Sequence, residues 1–122
     1  MESRYERLKA KMRENNMDAV VIISPANTLY FSETYIMTQT DIPDRLAITV
    51  LPANGEPAII ACIIEKNTVD SETWIKDRRY YIEFQESPIA FLVDVLKERG
   101  LMNSRIGIEL GYLTASYYME LM

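Results

Sequence analysis

The sequence predicts an α/β fold: a mixed, mostly parallel sheet with one antiparallel hairpin strand and helices on both faces. Three observations carry this expectation. Short runs rich in β-branched residues alternate along the chain with segments of helical period. Asn54-Gly55 stands between two apolar runs, a strong short-range hairpin signal. Ser87-Pro88 and Gly100 bracket an apolar segment whose spacing is helical, as in a helix capped at both ends.

Each element follows from its residues. Residues 2–16 read as an amphipathic helix, with Tyr5, Leu8 and Met12 on one face and Asn15-Asn16 as the stop. Residues 18–24 hold Ala19, Val20, Val21, Ile22 and Ile23 in succession, the pattern of a strand buried on both faces. Ser24-Pro25 then starts a short helix, Ser24 capping and Pro25 at the first helical position. Residues 32–44 lack a period and read as a loop. Residues 45–51 and 57–63 form the hairpin around Asn54-Gly55. A helical turn or two follows at 65–73, then a strand at 79–84. Ile89, Leu92, Val93 and Leu96 give the next helix its apolar face, and Lys97 and Arg99 suit its negative end. A strand at 104–110 and a helix from Thr114 complete the order α β α β β α β α β α. Strands separated by helices are expected to run parallel, through right-handed crossovers.

Composition narrows the function. The chain has 122 residues, 48% of them hydrophobic and 25% charged, which fits one globular domain, 1–122. A net charge of −5 repels a phosphate backbone, so nucleic acid is excluded as a partner. The basic run Lys76, Arg78, Arg79 is interrupted by Asp77. With no apolar run long enough to span a bilayer, no signal-like start and a lone cysteine, Cys62, the expectation is a cytoplasmic protein outside the membrane. There is no histidine among the 122 residues. That removes Ser-His-Asp and Cys-His catalysis and histidine-ligated zinc.

The remaining chemistry-bearing residues give no catalytic or metal set. Asp18 at the head of the first strand reads as a strand-initiating carboxylate, since nuclease-type metal sites need several acids converging. Glu33, Asp41 and Asp44 share a loop but lack the spacing and glycine of a calcium loop. Cys62 reads as a buried thiol. In each of the pairs Tyr80-Tyr81 and Tyr117-Tyr118, one ring is expected in the core and the other at the surface. Gly107 is a lone glycine without a phosphate-loop context. Tyr35, Ile36 and Met37 are apolar inside a loop and either tuck onto the core or form an interface. The apolar periodic end at Tyr117, Tyr118, Leu121 and Met122 is expected to continue in a longer protein.

These segments in this order resemble a family. Arg4…Arg7-Leu8…Met12, Met17-Asp18-Ala19-Val20-Val21-Ile22 and Pro25-Ala26-Asn27-Thr28-Leu29-Tyr30-Phe31-Ser32 are similar to the opening of creatinase and Xaa-Pro dipeptidase (prolidase, aminopeptidase P) proteins. Arg45 before an apolar strand, Gly55-Glu56-Pro57, and Ile106-Gly107-Ile108-Glu109 followed by Leu113-Thr114 and Tyr117 extend the resemblance over the whole chain. It implies a ribonuclease H-like, non-catalytic N-terminal domain that shapes the active-site entrance and dimer interface of a metal-dependent hydrolase. Its partners would be its own C-terminal catalytic domain, a second copy in a homodimer, and a peptide or small amidino substrate. Two divalent ions (manganese, cobalt or zinc) would sit in that catalytic domain, with no cofactor in this one. By the same resemblance Arg45 is the substrate-contact candidate, its guanidinium able to clamp a carboxylate. Paired instead with Asp44 or Asp41, it would be a surface residue. Tyr35, Ile36 and Met37 are the interface candidates. Where the family often carries glycine after its Tyr-x-Ser/Thr element, Ser32 is followed here by Glu33, which implies a different loop path. The other class of function is a free-standing binding or structural module.

Overall fold

Ala19–Ile22 is the first strand, β1, as its unbroken apolar run requires. It lies in a computed structural model that describes residues 2–23, 25–33, 47–82, 85–101 and 106–108. Helix α1 (Glu2–Glu14) precedes it and α2 (Pro25–Ser32) follows. The hairpin forms from β2 (Ile48–Pro52) and β3 (Ala58–Cys62), with Gly55 of the connection at φ 112°, a backbone value that glycine adopts without strain. A 3₁₀ turn, Ile63–Glu65, leads into α3 (Lys66–Glu72). Then come β4 (Asp77–Tyr81), α4 (Pro88–Glu98) and β5 (Ile106–Ile108). Residues 34–44 of the expected loop, Arg45 and Leu46 at the start of the expected strand, and the helix expected from Thr114 lie outside the described residues.

The sheet order is β4-β3-β2-β1-β5. β1 pairs in parallel with β5, and β3 with β4, while β2 runs antiparallel to both β1 and β3. The sheet is therefore mixed, with β2 the strand that opposes the others, as the sequence predicts. Side chains alternate across it. Val21, Ile48, Val50, Ala58, Ile60, Cys62 and Tyr81 meet Ile89, Leu92, Val95 and Leu96 of α4 on one face. On the other face Ile22 and Leu51 meet Tyr5 and Met12 of α1, and Ile59 and Ala61 meet Val69 of α3. Helices thus cover both faces, and that is why β1 is apolar at every position. The phenol of Tyr5 donates to Pro52 O at 2.6 Å, and burial pushes its pKa up to about 12.

One boundary differs from the sequence expectation. The strand expected at 79–84 runs Asp77–Tyr81. Asp-Arg-Arg reads as a turn because strands are poor in such residues. Here β4 is the sheet's outer strand, and each of its charges is held by a helix on one face or the other. Charged edge strands resist further pairing.

Three helices end in the left-handed conformation. At α1, Asn16 (φ 56°) is followed by Met17 N–H donating to Met12 O at 2.8 Å. At α4, Gly100 (φ 69°) is followed by Leu101 N–H donating to Leu96 O at 2.8 Å. Both are Schellman closures, with apolar residues at each end of the closing bond. At α2 the left-handed residue is Glu33 (φ 65°), whose N–H donates to Leu29 O at 3.0 Å. The stop expected at Asn15-Asn16 and the Gly100 cap are thus present. Ser87 caps α4, its hydroxyl accepting from Ile89 and Ala90 N–H.

Candidate functional site

The last turn of α2 has carbonyls without helical partners, as every helix end does. Distant side chains supply them. The Arg4 guanidinium donates to Tyr30 O at 2.9 Å, the Trp74 indole to Phe31 O at 2.6 Å, and the Thr73 hydroxyl to Ser32 O at 2.6 Å. Ser32, fully buried, donates back to Thr28 O. The end of α2 is therefore fixed from α1 on one side and from the segment after α3 on the other. Trp74 also lies 6.0 Å from the Tyr5 ring, tying this anchor to the buried face of α1.

This fixed end frames an open recess of about 420 Å³ lined by Arg4, Leu29, Tyr30 and Glu33. Leu29 and Tyr30 are 46% and 42% exposed, high for large apolar side chains. Arg4 lies 4.4 Å from the centre of the Tyr30 ring, a cation–π contact, and Arg7 donates to the Tyr30 hydroxyl at 3.3 Å. The Glu33 carboxylate forms no ion pair or hydrogen bond among the described residues, although it shares the recess with Arg4.

A second charged constellation surrounds β4. On the α4 face, Arg79 grips Asp77 (3.0 and 3.1 Å) and Glu98 (2.6 and 2.9 Å) with paired bonds, and Arg99 reaches Asp77 at 2.6 Å. Hydrogen bonding from Arg79 holds the Asp77 and Glu98 carboxyls below their usual range. On the α3 face, Asp70 accepts from Lys66 at 2.7 Å, from the Tyr80 hydroxyl and from Arg78 at 3.4 Å. These bonds, Lys66 foremost, lower its pKa to about 2. Burial, then the bond to Asp70, pushes the Tyr80 phenol up.

The sequence-predicted candidates fare differently. Arg45, Tyr35, Ile36 and Met37, together with Asp41 and Asp44, lie outside the described residues. Cys62 is buried and free. Tyr81 enters the core, while Tyr80 is half-buried on the opposite face, so that pair divides as expected. Asp18 is exposed beside β1. Gly107 lies against Met17, whose sulfur would be 3.3 Å from an added Cβ, so the missing side chain leaves room for Met17. Among the described residues no three His, Cys, Asp or Glu side chains gather where a metal could be held. None of their helices is long and apolar enough to cross a membrane. Sequence reasoning missed the Thr73–Trp74 anchor and the recess. The signals available were two arginines three apart at a helix start and the chain's one tryptophan.

Over residues 4–122 the sequence matches the model of the creatinase/prolidase N-terminal domain. The chain belongs to that family. Solved structures share its fold. The N-terminal domain of an Xaa-Pro dipeptidase from Lactobacillus brevis superposes with TM-score 0.80 at 20% identity, covering 97% of this chain and 84% of that one. A dipeptidase from Pyrococcus horikoshii gives 0.77 at 24% identity, covering 98% of this chain but 31% of that one. An X-Pro aminopeptidase from Thermotoga maritima gives 0.72 at 19% identity, covering 96% and 30%. The creatinase/prolidase N-terminal domain thus spans about a third of those two longer chains. A search of curated proteins finds no match.

Proposed function

We propose that this chain is the non-catalytic N-terminal domain of a metal-dependent Xaa-Pro dipeptidase or related C–N hydrolase, shaping the active-site entrance and the dimer interface. The observation that carries this reading is the family match over residues 4–122. The sequence has no histidine, and among the described residues no three His, Cys, Asp or Glu side chains gather where a metal could be held. In this reading two divalent ions would be held by the catalytic domain of the longer protein.

The sheet supports a role at an entrance. β2 opposes its neighbours, so its start at Ile48 lies at the carboxyl ends of β1 and β3. Open α/β sheets bind ligands at the carboxyl ends of their strands. Arg45 lies two residues before Ala47, which is buried at that end. Ile63, Ile64 and Ile82 stand exposed just past the ends of β3 and β4, an apolar margin suited to a following domain.

Activity assays test the reading. With manganese or cobalt, the 122-residue chain should not cleave an Xaa-Pro dipeptide, whereas the longer protein that contains it should. Cleavage by the chain alone would overturn the proposal. In the longer protein, Arg45→Lys should lower kcat/KM about tenfold, some ~1.4 kcal/mol of transition-state binding. Unchanged constants would return Arg45 to the surface role. Inactivity of the longer protein on such substrates would leave the related C–N hydrolases, and the lack of any catalytic domain would leave a free-standing binding or structural module.

A further inference from the structure

We draw no further inference here: the strongest candidate, the open recess at the end of α2 that Arg4, Leu29, Tyr30 and Glu33 line, carries nothing, because nothing in the structure shows what covers it.

Discussion

The ends of α2 and α4 are built alike and charged alike, yet they are finished differently. Each closes on a left-handed residue, and each has arginines and carboxylates close by. At α4 the left-handed residue is Gly100, and Asp77, Arg79, Glu98 and Arg99 satisfy one another within bonds of 2.6–3.1 Å. At α2 it is Glu33, and its carboxylate has no partner among the described residues. The first arrangement completes a fold: its charges fasten an edge strand to a helix. The second leaves opposite charges unpaired with each other in one open hollow, beside a left-handed glutamate.

The contrast can be broken most strongly at α4. Asp77→Ala leaves Arg99 without its carboxylate and removes one of the two that Arg79 grips. Losing hydrogen bonds to charged groups at a half-buried site should cost about 2 kcal/mol in urea unfolding. A loss under about 0.5 kcal/mol, the range of ordinary surface substitutions, would mean that the network does not fasten β4.

A reciprocal pair sharpens it. No atom lies within 4 Å of where a Cβ on Gly100 would sit, so Gly100→Ala tests the backbone alone and should cost about 1 kcal/mol. Glu33→Gly should stabilise the monomer by about 0.5–1 kcal/mol, because the relief of strain exceeds the added freedom of the unfolded chain. Equal signs in the two measurements would contradict the reading of Glu33 as strained.

The smallest effect concerns acid. The Asp70 pKa is lower in the fold than in the unfolded chain, so its contribution is present above about pH 4 and fades as pH falls toward 2. The lowered carboxyls of Asp77 and Glu98 act in the same direction. Urea midpoints followed from pH 5 to pH 2 should therefore fall, and less steeply in Asp70→Asn. An unchanged slope in that variant would show that Lys66 and Tyr80 do not distinguish the charged form.

Local signals in the sequence located most elements. The β-branched run of β1, the Asn54-Gly55 turn, and the Ser87 and Gly100 caps act on residues a few positions away, and each is where the residues indicate. Strand β4 shifted because its partners are distant: Asp70, Glu98 and Arg99 come from other elements, and no local pattern announces them. The same holds for the site. Tyr30 O, Phe31 O and Ser32 O are met by Arg4, Trp74 and Thr73, which only the folded sheet brings near. Glu33 was legible as a departure from the family's glycine, but its left-handed backbone was not. Thr49 is a further limit. It is fully buried in β2, its hydroxyl without a hydrogen-bond partner among the described residues, and nothing in the local pattern separates it from the valine beside it.

The strand order has a consequence for synthesis. β1 is made early, yet one of its edges pairs with β5, Ala19 against Ile106 and Val21 against Ile108. While the chain leaves the ribosome, β1 can join β2 as soon as the hairpin is out, but its other edge stays open until Ile106–Ile108 has also emerged. Until then the nascent protein carries an unpaired edge on a wholly apolar strand, the kind of edge that recruits foreign strands. The three short residues of β5 close it. A chain that stops before Ile106 leaves that edge permanently open.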